Sequence, residues 1–286
     1  MSRNNQDRLG PTVQSADAPP AQQAASTNSQ PLQFVVPTEF VELPTAGKFY
    51  AENHPFHNKS EIEIKFMTAK EEDILTDKTL LKKGIALDRL LKSLLVDKGV
   101  NPDSLFVADK NAILIGARKS GYGSSYDTKV MCPVCFAHGR HEFDLDDAII
   151  SAPKNLEDGA VQLTEAGTLL FTTPTMGVEV ECRMLTGADE KTILNKQKNN
   201  KKLNLPENAL TTQLKTILVS VNGNTERSYI NSFVDACTAM DSRFIRGIYQ
   251  NSIPNVELKE EYVCGECDTS TMIDVPFTTD FFWPQR

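Results

Sequence analysis

Two short stretches of the chain could do chemistry: "CPVC" at residues 132–135 and "CGEC" at residues 264–267. In each, two thiols separated by two residues sit on a turn whose backbone amides can point at the sulfurs, so both can reach one ion. One such knuckle supplies two ligands, and a structural zinc ion takes four. Three readings are open. In the first, Cys132, Cys135, Cys264 and Cys267 share a single zinc. In the second, Cys132 and Cys135 are completed by His138 and His141, which leaves Cys264 and Cys267 unexplained. In the third, CxxC is a redox pair. That chemistry wants the motif at the start of a helix in a βαβ setting, a context neither stretch has. The first reading alone accounts for all four thiols. Cys182, in an alternating stretch, and Cys237, in "FVDACTAM", read as small core residues.

The rest of the composition sets the frame for these thiols. The chain has 286 residues, six of them cysteine, and a net charge of −8. Six cysteines in a chain of this length are too few for a disulfide scaffold, so each CxxC reads as metal or redox chemistry. An acidic balance argues against a wholesale electrostatic grip on nucleic acid. No apolar run is long enough to cross a membrane, and the N-terminus lacks the apolar core of a signal peptide. Residues 1–33, rich in Gln, Ala, Asn, Ser and Pro, cannot bury enough surface to offset their ordering entropy. They read as a disordered tail, or as a tether that orders against a partner.

The two knuckles occupy matched places in an internal repeat. "EIEIKFMTAKEE" from Glu61 matches "EVECRMLTGADE" from Glu179, 118 residues on. Upstream, "VELPTAGKF" from Val41 matches "VQLTEAGTL" from Val161 at 120 residues. Downstream, "LKSLLV" matches "LKTILV" at 123, and "ADKNAI" matches "MDSRFI" at 132. At that last offset Cys132 falls on Cys264 and Cys135 on Cys267. The expected organisation is a tail over 1–33, a first repeat over 34–150, a linker over 151–160 and a second repeat over 161–286.

Each repeat needs elements that deliver its knuckle. Ile62, Ile64 and Phe66 alternate as a strand should. Thr68 and Thr186 stand where a helix N-cap is expected, with acids in the following turn. Leu87, Leu90, Leu91, Leu94 and Leu95 have helical spacing, as do Leu210, Leu214, Ile217 and Leu218. A further helix begins near Asp109 or Asp241. Strands then flank each CxxC, and alternation resumes at Phe143 and Leu145, or at Val275 and Phe277. Gly121 and Gly123 bracket Tyr122 where a turn with positive φ is expected. Arg118 reads as a solvated helix residue, with pairing to an acid or a partner contact as the alternatives. Phe281, Phe282 and Trp283 read as closing the core of the second repeat, or as an aromatic anchor for a partner, and Pro284 stops any element there. The fold class is therefore α+β, an internally duplicated unit whose two copies meet at a shared, zinc-ribbon-like four-cysteine site.

"VELPTAGKFYAENHP", "MTAKEED", "DKNAILIGARKSGYG", "CPVC", and a terminal "CGEC" followed by "FFWP" resemble the baseplate hub family of T-even-type contractile-tailed bacteriophages. The likeness runs from about residue 38 to the end. It implies a structural component of the tail baseplate hub that acts through contacts with other baseplate and tail proteins. It places the protein in the virion tail, with assembly in the host cytoplasm. The family also includes a hub assembly factor, which is the alternative role. Several copies in a symmetric assembly are expected.

The residues agree in what they lack. "GARKSGYG" is without the strand-loop-helix context of a phosphate site. No Ser or Cys has an evident base, and four thiolates would close a zinc to substrate. An enzyme is not expected, nor a small-molecule substrate. The rival of another class is a nucleic-acid-binding zinc ribbon, supported by Lys191, Lys196, Lys198, Lys201 and Lys202. A lysine cluster without interleaved aromatics reads more simply as a solvated face.

Overall fold

The computed structural model describes residues 35–151, 161–203, 206, 208–275 and 279–282. The tail over 1–33, linker residues 152–160, Phe277, Trp283 and Pro284 lie outside the described residues.

The first half opens with an antiparallel pair, β1 (Thr38–Glu42) and β2 (Glu61–Lys65). Three helices follow, α1 (Ala69–Thr76), α2 (Lys78–Lys83) and α3 (Ala86–Leu94), and then the longer α4 (Val107–Tyr122). β3 (Ser125–Met131) and β4 (His138–Asp144) form the first knuckle hairpin, and β5 (Ile149–Ser151) comes after it. The second half begins with β6 (Gln162–Leu163), β7 (Thr168–Thr172) and β8 (Glu179–Arg183). Next come α5 (Gly187–Lys202), α6 (Ala209–Ile217), β9 (Leu218–Val221), α7 (Arg227–Ala236) and α8 (Ala239–Ser252). The short β10 (Asn255–Glu257) leads to the second knuckle hairpin, β11 (Lys259–Val263) and β12 (Ser270–Asp274). β6 to β9 make one four-stranded sheet in chain order, and the remaining strands pair two by two, β5 with β10 across the halves.

Local signals explain most of these elements. In β2, Ile62 and Ile64 are buried and the glutamates between them exposed, the alternation of a half-buried strand. Thr68 and Thr186 are the N-caps of α1 and α5. The carboxylates of Glu71 and Asp189 each reach back to accept from the cap's own amide at 3.0 Å, which satisfies a donor the helix leaves orphaned. In α3, Leu90, Leu91 and Leu94 are fully buried, while Leu87 faces solvent. Gly123 caps α4 at φ 83°, where a side chain would strain the backbone. Gly121 lies inside the helix, against Met67.

Three expectations are corrected here. The "VELPTAGKF" and "VQLTEAGTL" segments, 120 residues apart, do not hold comparable places. Residues 164–167 turn β6 into β7, whereas "PTAG" leaves β1 for β2. The segment that leaves β7 for β8 is "PTMG" at residues 174–177, 130 residues after "PTAG". Arg118 is not a solvated helix residue. It is 1% exposed, and its guanidinium donates to the carbonyls of Phe281 at 2.8 Å, Gly123 at 2.6 Å and Ser125 at 2.9 Å. Phe281 and Phe282 do not close the core of the second half. They are buried in the first core, where Phe281 meets Tyr126 edge to face at 5.2 Å.

Among the described residues the buried apolar side chains form two clusters. One gathers β2, α3, α4 and the first hairpin together with Leu258, Tyr262, Val275, Phe281 and Phe282. The other lies within residues 161–253, between the four-stranded sheet and α6 to α8. The C-terminal hairpin thus packs on the first core. Ion pairs also join the halves, with Lys110 Nζ 2.8 Å from Glu190 and Lys191 Nζ 2.8 Å from Asp88.

Two aspartates anchor the turns after β1 and β7. Asp109, at the start of α4, accepts from the Thr45 amide at 3.1 Å, the Thr45 hydroxyl and the Tyr50 hydroxyl, both at 2.7 Å. Asp241, at the start of α8, accepts from the Thr175 amide at 2.8 Å, the Met176 amide at 3.2 Å and the Thr238 hydroxyl at 3.0 Å. Burial raises the Asp109 pKa, because its hydroxyl and amide donors do not fully offset desolvation. Burial also opposes ionisation of Asp241, but the Thr175 amide and the Thr238 hydroxyl outweigh it and the pKa is lowered. A depressed carboxylate stabilises above its unfolded pKa and loses that contribution as pH falls through the folded value; a raised one does the reverse. Asp241→Asn is therefore expected to destabilise at pH 7, with an effect that fades as pH falls below the ordinary carboxylate range. Asp109→Asn is expected to be milder, and to gain on the wild type as pH rises from about 4. Urea denaturation of both variants across pH checks the opposite slopes.

Candidate metal centre

Each CxxC stands at the tip of an antiparallel hairpin. In the first, inward residues Tyr126, Thr128, Val130 and Phe143 are buried and the alternate positions of β3 exposed, so the strands deliver Cys132 buried and Cys135 at the surface. In the second, Tyr262 leads to a buried Cys264, and Cys267 is half-buried. The turns share their backbone bonds. Phe136 N donates to Cys132 O and Asp268 N to Cys264 O, both at 3.0 Å. Cys132 N donates to Ala137 O at 2.9 Å, and Cys264 N to Thr269 O at 3.1 Å. Phe136 and Asp268 both sit at positive φ, 59° and 51°.

The inner faces of the hairpins meet closely. A Cβ on Gly139 would lie 2.2 Å from Tyr262 Oη, so only glycine permits this approach. His141 Nε2 lies 3.1 Å from Glu260 Oε2, and the other oxygen of Glu260 accepts from the Asp144 amide at 2.6 Å. This packing brings all four sulfurs within 4.8 Å of one another. Cys132 Sγ is 3.8 Å from Cys267 Sγ, and Cys135 Sγ is 3.6 Å from Cys264 Sγ. Four thiolates about 2.3 Å from a central zinc would define a tetrahedron with edges of about 3.8 Å, so the cluster fits such an ion. Electrostatics agree. The amides of Glu266 and Cys267 bring the Cys264 thiol down to about 6. The Thr269 hydroxyl and amide lower Cys267. The Ala137 amide also lowers Cys135, but the neighbouring thiols outweigh it and push the group up to about 12. Without a cation, four adjacent sulfurs cannot all ionise; a dication removes that conflict.

The set that comes together is Cys132, Cys135, Cys264 and Cys267. The compact alternative does not form: His138 is exposed on the outer face of β4, and His141 is engaged with Glu260. Neither CxxC begins a helix, as a redox pair would require. Cys182 is buried in β8, and Cys237 packs against the second core. Of the lysines read as a possible nucleic-acid patch, Lys191 is tied to Asp88 and Asp103, and the stretch forms α5. Glu260 was not singled out in the sequence. Its place two residues before Tyr262 in β11 puts it on the same inward face, the one signal that could have pointed to it.

A family model described as T4 bacteriophage base plate protein matches residues 37–283, a span that includes both knuckles. No curated protein and no solved structure matches the chain. The chain therefore belongs to the T4 bacteriophage base plate protein family, as a structural component of the phage tail baseplate that works through contacts with other baseplate or tail proteins and not as an enzyme.

Proposed function

We propose that the protein is a subunit of the baseplate hub, made of two copies of one unit over 34–150 and 161–286, and riveted by one structural zinc on Cys132, Cys135, Cys264 and Cys267. The observation that carries this reading is the sulfur cluster, drawn equally from two knuckles with the spacing a tetrahedral ion imposes. Bound there, zinc would supply charge neutralisation and a fixed link; four thiolates leave no open position for a substrate.

Matched details support the duplication. Each half holds a β-hairpin, β1–β2 and β7–β8, that is followed by a Thr-capped helix, although β6 precedes the second hairpin. Thr45 N bonds Asp109 just as Thr175 N bonds Asp241. Ile64 bridges Leu95, and Cys182 pairs with Leu218, at offsets of 118 and 123. The knuckle turns repeat bond for bond at 132.

A rivet with an outward face on either side suits a body that stays in place, in several symmetric copies, and bridges different neighbours. The assembly-factor role is the alternative. Quantitative mass spectrometry of purified particles and infected-cell lysate separates them. The expected result is a fixed number of copies in every finished particle. Presence in lysate with absence from particles would select the assembly factor.

A further inference from the structure

Four successive residues of β1, Glu39, Phe40, Val41 and Glu42, line one wall of a cavity of about 230 Å³. Successive strand residues point to opposite faces, so a cavity touching all four runs along the strand's edge. That edge is open, since β1 pairs only with β2 among the described residues. The register identifies what it offers. Phe66 N donates to Pro37 O, and Leu43 N to Ser60 O, which flank the β1–β2 ladder. In an antiparallel ladder every second residue turns its backbone groups to the partner, so residues 37, 39, 41 and 43 face β2. The N–H and C=O groups of Thr38, Phe40 and Glu42 therefore face outward along the slot.

α4 supplies the floor through Ala112, Ile115 and Gly116. Ala148, Ile150 and Val256 form the far wall. Ile150 and Val256 are cross-strand partners in the β5–β10 pair, so a second narrow sheet bounds the slot. Lys119 also lines the slot, but its ammonium is paired with Asp146 at 2.5 Å, so the unpaired charge is acidic. Glu39 Oε1 is buried with no hydrogen-bond partner among the described residues, which costs free energy unless something supplies a donor. Glu42 stands opposite Glu61 in the ladder, a like-charge pair that sheets disfavour.

We propose that this slot takes an extended, basic segment of a neighbouring baseplate polypeptide, which adds to β1 as a strand and sets a lysine or arginine against Glu39. Main-chain bonds to Thr38, Phe40 and Glu42 provide affinity, the α4 floor takes alternate apolar side chains, and the acidic wall selects charge. The site is separate from the metal centre and does not depend on zinc.

The test uses the full chain and a fluorescein-labelled peptide, Val-Lys-Val-Lys-Val, with anisotropy as the readout. Saturable binding is expected, with none for Val-Glu-Val-Glu-Val. Phe40→Pro removes an outward N–H but no β1–β2 bond, and should weaken binding about tenfold or more while circular dichroism is unchanged. Glu39→Gln should weaken it about threefold or more. Methylating the backbone nitrogens of the peptide should abolish binding to the unaltered protein, a control independent of the variants' folding. Absence of saturable binding, equal binding of the acidic peptide, or indifference to both Phe40→Pro and N-methylation would overturn the proposal. So would a shift from dimer to monomer on Phe40→Pro in sedimentation, which would make a second copy of this chain the occupant.

Discussion

Replacing Cys264 and Cys267 together by serine is expected to give a protein that holds no zinc, melts roughly 10 °C lower and supports few or no completed tails. The unmodified protein should carry one zinc per chain, and Cys132→Ser should remove it as completely as Cys264→Ser does, because the four sulfurs form one set. Structural zinc contributes directly to folding free energy, since the unfolded chain has no preformed site. Here the hairpins also hold each other through Tyr262 on Gly139 and Glu260 on His141 and Asp144, so the loss should stop short of unfolding. A cost on the order of 4 kcal/mol corresponds to that melting shift in a chain of this size. The variant should remain soluble and keep its helices, while the two knuckle tips lose their fixed relation and the β5–β10 pair and the first core still join the halves. Metal analysis, thermal melts and complementation of a phage lacking the protein read the three effects. Two zincs per chain, or full metal in a second-knuckle variant, would defeat the shared site. Normal tails from zinc-free protein would show that the rivet is dispensable.

Arg118→Met should destabilise the protein by about 3 kcal/mol or more. The side chain is nearly inaccessible and serves three carbonyls, one on the C-terminal Phe281, one on Gly123 that ends α4 and one on Ser125 that begins β3. Methionine fills much of the volume but leaves those acceptors without their donors, and a buried acceptor left unmet carries its full desolvation penalty. Lysine keeps the charge but not the planar fork, so Arg118→Lys should recover only part of the loss. Urea denaturation measures the stability, and hydrogen exchange at residues 279–282 should rise first, because Phe281 loses its anchor before the cores open. A change within about 0.5 kcal/mol would show that the guanidinium contacts contribute nothing net.

The sequence by itself determined the features whose causes are local. Thr68 and Thr186 cap helices because the carboxylate three residues on accepts from the cap residue's own amide. The glutamate–isoleucine alternation makes β2 because a strand's side chains alternate faces. Each CxxC makes the same turn because its bonds run within six residues. Even the joining of the knuckles was legible, since their equal distance from Asp109 and Asp241 marks them as matched positions.

The tertiary structure decided what depends on partners remote in the chain. An arginine on a helix reads the same whether it meets water or a carbonyl 163 residues away. Phe281 and Phe282 are apolar enough for either core, and apolar burial is non-directional, so composition could not assign them to the first. Alignment by residue identity chose "VQLTEAGTL" as the partner of "VELPTAGKF", while strand pairing chose "PTMG". A turn is defined by the strands it joins and by the carboxylate that receives its amides, and Asp109 and Asp241 lie 64 and 66 residues away from those turns.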